Sequence, residues 1–210
     1  MNDSIRDLRK DYTLASLNEV NPDPIQQFDA WLHEAIDAKI PEPNGMTVST
    51  VGDNGRPTNR VVLLRGFNAE GFVFFTNYLS RKGQDIAARP VACMSFWWPE
   101  LERQVRIEGT IEKVSPEESD AYFASRPRDS QLSAASSPQS EVIESKDILF
   151  DRMEELEQQH PEELPRPEHW GGYRLVPDYF EFWQGGPARL HDRFAFTLQD
   201  GQWKIERLAP

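Results

Sequence analysis

The sequence predicts an α+β fold, mainly β with flanking α-helices, whose short antiparallel strands build a barrel. Three observations carry this. Runs of β-branched and aromatic residues recur from residue 46 onward, bounded by turn signals such as GDNG (52–55), NAEG (68–71) and GGP (185–187). One capped amphipathic helix precedes them. The 210 residues are 38% hydrophobic and 28% charged with no internal repeat, which suits a single domain over residues 1–210.

Each element has a local reason. Asp23 is a natural N-cap and Pro24 fits the first helical position, with Ile25, Phe28, Leu32, Ala35 and Ile36 along one face and Pro41 and Pro43 beyond the end. "MTVSTV", "RVVLLRGF" and "FVFFTN" read as strands, and Ser80 opens a short helix that carries Arg81 and Lys82 in its first turn. "VACMSFWW" and "ERQVRIEGTIEKV" are strands. In the second, Val105 and Ile107 face the core and Gln104 and Arg106 the other side. "SPEESDAYFASR" is a helix with a capping box, Ser115 reaching forward and Glu118 back, and "PRDSQLSAASSPQS" reads as a polar loop. Between Glu141 and Leu164, nine acids and two bases surround Ile148, Met153 and Leu156, as in a solvated amphipathic helix. "YRLVPDYFEFWQ" and "ARLHDRFAFTL" form a hairpin. Its second strand starts near Arg189, so that Arg189, His191 and Arg193 share one face. "WKIERLAP" closes the chain.

Composition excludes several classes. A net charge of −12 argues against nucleic-acid binding, which needs an extended basic surface. No apolar run approaches the ~18 residues of a membrane span, and the start lacks the layout of a signal peptide, so the expected location is cytoplasmic. The single Cys93 reads as a buried thiol, no cluster suggests a metal site, and no Walker or dinucleotide glycine motif is present.

The cations point to anions. Arg81 and Lys82 stand at a helix N-terminus, where the dipole disfavours them unless an anion such as phosphate joins them. Arg60 and Arg65 bracket Val61, Val62, Leu63 and Leu64 and, on strict alternation, face opposite sides unless a bulge intervenes. Tyr122 and Arg126 share a helix face, with Ser130 close behind. The inventory suggests two phosphates, one near Arg60, Arg81 and Lys82, the other near Tyr122, Arg126 and Ser130, with an aromatic such as Trp183 to stack on a flat ring. His33, His160 and His169 read as bystanders; only His191 has company that suggests chemistry.

These segments, "RVVLLR", "FFTN…SRK", "ERQV", "YFASRPRDSQ", "WGGYR", "EFWQGG", "RLHDR" and "ERLAP", run in order through nearly the whole chain. The sequence resembles the pyridoxine (pyridoxamine) 5′-phosphate oxidase family. That resemblance implies a homodimeric split β-barrel with FMN at the subunit interface. It also implies FMN-dependent oxidation of pyridoxamine or pyridoxine 5′-phosphate to pyridoxal 5′-phosphate, with O2 reduced to H2O2. It assigns Arg60, Val61, Val62, Leu63, Leu64 and Arg65, with Phe75, Thr76, Arg81 and Lys82, to FMN, together with Gln104, Gln139, Ser140, Trp183 and Arg193. It assigns Arg65, Tyr122, Arg126 and Ser130 to the substrate phosphate, and Arg189 and His191 to the pyridine ring and its reacting carbon. Arg9 and Tyr12 close over the substrate from a mobile N-terminal lid, residues 1–20. The chain departs from the family pattern at Arg65, where lysine is usual, at Ser133 and at Glu141. A non-catalytic split-barrel protein that binds flavin, haem or pyridoxal phosphate is the alternative, and it would not need "RLHDR" or "SRPRDSQ".

Overall fold

The computed structural model of the chain describes residue 8 and residues 11–210. The expectation for Arg9 lies outside the described residues, as does most of the first half of the expected lid. Among the described residues nine strands form one sheet: β1 (Gly45–Val51), β2 (Pro57–Leu63), β3 (Gly66–Asn68), β4 (Gly71–Asn77), β5 (Val91–Trp98), β6 (Arg103–Lys113), β7 (Trp170–Gln184), β8 (Asp192–Gln199) and β9 (Gln202–Arg207). Their order is β2-β1-β5-β6-β7-β4-β3, with β8 paired to β7 and β9 to β8. Among the described residues five helices flank the strands: α1 (Pro24–Asp37), α2 (Arg81–Ala88), α3 (Pro116–Ser125), α4 (Arg128–Ser136) and α5 (Asp147–Gln159). The architecture is the mostly-strand, antiparallel split barrel with flanking helices that the sequence implied.

The chain packs as two compact units. The first comprises the described residues up to Thr47 with Cys93–Glu108 and Pro177–Pro210. Here α1 starts where Asp23 accepts a hydrogen bond from the Ile25 amide at 2.8 Å. It buries Phe28, Trp31, Leu32 and Ala35. Phe28 packs on Phe96 with ring centroids 4.9 Å apart, and Trp31 meets Phe182 edge-on at 5.3 Å. Trp31 thus joins the inward stripe, and the expected Ile36 stands out of it, 49% exposed.

The hairpin of β7 and β8 differs from expectation. Pairing runs from Tyr179↔Thr197 to Gln184↔Asp192, so β8 begins three residues later than the sequence suggested. Pro187–Arg189 instead form a short 3-10 turn, in which Ala188 and Arg189 have φ of 51° and 62°. Side chains of Arg189, His191 and Arg193 therefore do not alternate along one strand face. Pro187 supplies no N–H for a ladder, and the left-handed pair turns the chain where strand pairing would otherwise continue.

The second unit comprises Val48–Ala92 and Gly109–Val176. The β1–β2 turn is the GDNG of the sequence: Gly55, at φ 74°, donates its amide to the Gly52 carbonyl at 2.8 Å. β4 pairs with the first part of β7, from Phe72↔Leu175 to Asn77↔Trp170. Pro177 falls between that register and the one β7 makes with β8. α2 starts at Ser80 and α3 at Ser115, whose hydroxyl accepts from the Glu118 amide at 3.1 Å. The reciprocal half of the capping box is diverted, because the Glu118 carboxylate accepts from Arg174 at 3.2 Å.

The stretch expected as a polar loop contains a helix, α4. Its N-cap position is Pro127, with no side-chain cap, so no local signal announced it. Packing holds it: Leu132 is buried with Phe123, Leu164 and Trp170, and Met153 and Leu156 of α5 cover the same cluster. Those two residues belong to the apolar stripe of Ile148, Met153 and Leu156 that the acidic segment was expected to present; Ile148 is not part of this cluster.

Candidate functional site

In the second unit a cavity of about 620 Å³ gathers most of the cations the sequence singled out. Arg60, Val61, Val62 and Leu63 reach it from β2, Phe75 and Thr76 from β4, Arg81 and Lys82 from α2, and Tyr122 and Arg126 from the end of α3. Gln139 and Ser140 come from the loop after α4. Arg65 lines the same cavity as Arg60 because β2 ends at Leu63 and β3 begins at Gly66, and the break releases Arg65 from strict alternation. Leu64 is buried in the core and does not line it.

The cations form two sets. In one, Arg60 donates through Nη1 to the Val48 carbonyl and Thr50 Oγ1, and through Nη2 to Thr58 Oγ1. Buried Lys82 donates to Thr76 Oγ1 at 2.9 Å, Ser80 Oγ at 3.2 Å and Gln139 Oε1 at 2.7 Å. All three acceptors are neutral. Burial, and then the nearby Arg60, push the Lys82 ammonium down to about 8. Burial also lowers Arg60, against the opposing charge of Asp85 and together with that of Arg81. A buried cation held only by neutral groups favours an anion as its further partner.

In the other set, the Arg126 guanidinium lies over the Trp170 ring, 4.7 Å from its centroid, and Arg65 lies 5.9 Å from that of Tyr122. Burial lowers Arg126, Tyr122 opposes the shift, and Arg65 adds to it. Nη1 of Arg126 is buried without a hydrogen-bond partner among the described residues. Phe75, Tyr122 and Trp170 stack as a wall, with Phe75 and Tyr122 centroids 3.9 Å apart at 22°. Ser130, expected here, is on α4 and does not line the cavity.

The first unit holds the remaining candidates. Tyr12, Trp183, Gly186, Arg189 and His191 line a cavity of about 600 Å³. His191 packs against Trp183 at 4.6 Å and Tyr12 at 5.7 Å between ring centroids. Its Nδ1 accepts from the Gly186 amide at 3.1 Å, and burial followed by the charge of Arg189 lowers the imidazole from its ordinary value. Gly186 has to be glycine, since a Cβ there would stand 2.3 Å from the Leu190 carbonyl oxygen. Adjacent left-handed residues that are not glycine cost about 1–3 kcal/mol each and mark functional loops. Ala188 and Arg189 are such a pair.

Arg193 is turned toward a carboxylate: Nη2 lies 3.0 Å from Oε1 of Glu181, which is buried, and Nη1 donates to the Ala209 carbonyl at 2.6 Å. Gln104 is half-buried on β6 beside the buried Val105, as alternation required. The backbone of Tyr12–Leu17 is fastened by two carboxylates. Glu102 accepts from the Thr13 and Leu14 amides at 2.9 and 3.2 Å, and Asp192 accepts from the Leu17 amide at 2.9 Å.

Sequence reasoning missed Asn77, Ser133, Ala134, Ser137 and Trp170 as cavity residues. Trp170 opens the "WGGYR" segment and Ser133 had been singled out as a departure; small residues such as Ala134 and Ser137 carry no signal of their own. Glu102 and Glu181 were also missed, because their partners lie far away in sequence.

Residues 32–160 match the family model for pyridoxamine 5′-phosphate oxidase, and residues 170–210 match the pyridoxine 5′-phosphate oxidase C-terminal dimerisation region. The chain is 55% identical to a pyridoxine/pyridoxamine 5′-phosphate oxidase of Acaryochloris marina, over 99% of this chain and 96% of that protein. It is 57% identical to one of Paraburkholderia phymatum, over 99% of both. The structure of PhzG from Burkholderia lata 383, in complex with tetrahydrophenazine-1-carboxylic acid, superposes with a TM-score of 0.88 at 28% identity, covering 95% of this chain and 98% of that one. A related FMN-binding protein from Nostoc punctiforme, 19% identical with a TM-score of 0.70 over 91% of this chain and all of that one, shares the fold.

Proposed function

The chain belongs to the pyridoxamine 5′-phosphate oxidase family of oxidoreductases, and from that premise we propose that it oxidises pyridoxamine and pyridoxine 5′-phosphates to pyridoxal 5′-phosphate with FMN and O2. One observation carries the reading: a single cavity presents two cationic sets, one with buried Lys82 held by neutral acceptors and the other with Arg126, whose Nη1 has no hydrogen-bond partner among the described residues. Two phosphates satisfy both.

The residues present fit FMN. Arg60, Arg81 and Lys82 suit its phosphate, Thr76, Gln139 and Ser140 its polar chain, and the Phe75 wall offers a flat apolar surface. The chemistry supplied by this cofactor is acceptance of a hydride from the substrate C4′ carbon and delivery of two electrons to O2, giving H2O2. The protein's part is placement. Arg65, Tyr122 and Arg126 anchor the substrate by its remote phosphate, which turns binding energy into orientation of C4′.

Arg189 and His191 serve the ring of the substrate. A donated N–H at Nδ1 requires a lone pair there, so neutral His191 carries its proton on Nε2 and acts as a hydrogen-bond donor to the ring or its C4′ substituent. Gln104, Trp183 and Arg193 complete the cofactor site. The match of residues 170–210 to a dimerisation region supports a homodimer, with these residues serving a site that two copies share. Both compact units act, in this reading, as one catalytic domain, and residues 11–17 form the fastened end of a lid. Among the described residues no helix is long and apolar enough to cross a membrane. We place the enzyme in the cytoplasm.

Purification followed by absorbance and a peroxide assay tests the proposal. A yellow protein that releases H2O2 with pyridoxamine 5′-phosphate, and far less with unphosphorylated pyridoxamine, supports it. Bound flavin with no peroxide would favour the non-catalytic alternative.

A further inference from the structure

Asp85 is buried on α2 beside the first cationic set, and nothing assigned so far gives it a task. Its Oδ2 accepts from two hydroxyls at once, Thr50 Oγ1 at 2.7 Å and Thr58 Oγ1 at 2.8 Å. Each hydroxyl has one hydrogen. With that hydrogen committed to the carboxylate, each oxygen keeps only lone pairs for its other neighbours. The two hydroxyl oxygens stand 3.2 Å from each other, and each also faces Arg60, whose Nη1 meets Thr50 at 2.8 Å and whose Nη2 meets Thr58 at 2.6 Å. Both arms of the guanidinium are thereby held by oxygens whose polarity Asp85 dictates. Gly52 leaves room for the arrangement, since a Cβ there would stand 3.0 Å from Asp85 Oδ1.

We propose that Asp85 is a positioning residue: through Thr50 and Thr58 it fixes the Arg60 guanidinium in the orientation that receives the FMN phosphate. The inference rests on the assignment of that phosphate to Arg60, Arg81 and Lys82. A carboxylate does this better than an amide. Asparagine offers a donor as well as an acceptor, which lets the hydroxyls reverse and turn their hydrogens toward the arginine. The Asp85 carboxylate stands close enough to Arg60 for the two charges to interact. Its charge also opposes the burial that disfavours protonated Arg60.

The test uses the full-length protein freed of flavin and titrated by fluorescence with FMN and, separately, with riboflavin, which lacks the phosphate. Asp85→Ala should weaken FMN binding by about 10- to 100-fold, the range for a misdirected charged hydrogen-bond donor, and leave riboflavin binding unchanged. Thr58→Val, which removes one relay hydroxyl and keeps the shape, should show the same selectivity at smaller size and stands in if Asp85→Ala fails to fold. In an Arg60→Ala background, Asp85→Ala should add nothing. Equal losses for FMN and riboflavin, or additive effects of Asp85→Ala and Arg60→Ala, would overturn the proposal. If Arg60→Ala weakens FMN while Asp85→Ala and Thr58→Val do not, the positioning role alone falls. If Arg60→Ala leaves FMN affinity intact, the phosphate assignment falls and takes this inference with it.

Discussion

The Gly186 amide donates a hydrogen bond to Nδ1 of His191, 3.1 Å away. This contact decides what the imidazole can do. A protonated Nδ1 would set one N–H against another, so the contact favours the neutral ring with hydrogen on Nε2. A proton-abstracting base at Nε2 needs the other tautomer.

As a hydrogen-bond donor, His191 is worth less than a base. His191→Ala should lower kcat/KM by roughly 2- to 15-fold, the value of one neutral hydrogen bond, and not by the ~10²–10⁴ of proton transfer, with flavin content unchanged. The wild-type rate should fall as pH drops below the ordinary imidazole value of 6.5. The lowered affinity for a proton places the loss on the acid side, where the imidazolium forms and the Gly186 contact fails. In His191→Ala that acid limb should disappear. A pH–rate comparison of the two proteins checks both statements.

Lys82 predicts a pH dependence of opposite sense. Its ammonium is pushed down to about 8, so it is charged at pH 7 and progressively neutral as pH rises through that value. FMN affinity should therefore decline between pH 7 and pH 9. Lys82→Met should bind FMN more weakly at pH 7 and show a flat profile over the same interval. A titration of flavin-free protein at several pH values reads this directly.

The Nη1 of Arg126, without a hydrogen-bond partner among the described residues, predicts a separation of ligands. Arg126→Ala should raise the KM for pyridoxamine 5′-phosphate by about 10- to 100-fold and retain the flavin, while Arg81→Ala with Lys82→Ala should shed it. Colourless Arg126→Ala protein would show the two sets to be exchanged.

Glu102 predicts the behaviour of the N-terminal strap. Its buried carboxylate accepts from the Thr13 and Leu14 amides, and charge-assisted bonds are worth about 1.5–3 kcal/mol against about 1 for neutral ones. Glu102→Gln should speed hydrogen exchange of those two amides by about tenfold and raise KM modestly, with the flavin retained. Exchange measured by NMR or mass spectrometry, together with steady-state kinetics, tests this.

What could be read from the sequence was what neighbouring residues decide. Asp23, Ser80 and Ser115 announce their helices because a cap bonds an amide two or three residues ahead, and GDNG announces its turn because Gly55 adopts the left-handed backbone it alone takes without cost. The cationic sets were visible as motifs. Helix α4 was not, because Leu132 is held by Phe123, Leu164 and Trp170 and not by its own neighbours. The loop at Arg189 read as strand because the residues around it favour strands, yet Pro187 and two left-handed residues override them. Glu181 as partner of Arg193, Asp85 as anchor of Arg60, and Glu102 as anchor of residue 13 each join elements that only the fold brings together.

The fastening of Thr13, Leu14 and Leu17 bears on how the chain can drift. Each is gripped by its backbone amide, a group that nineteen of the twenty amino acids possess, so this grip tolerates nearly any replacement there. Proline is the exception, since it has no hydrogen to offer. The selective burden moves to the acceptors, Glu102 and Asp192, whose carboxylates no shorter or uncharged side chain reproduces. A randomised library over positions 13 and 14, selected for growth without supplied pyridoxal, should return varied survivors that lack proline, whereas one over Glu102 should return glutamate and glutamine, whose carbonyl oxygen keeps a weaker acceptor at the same reach.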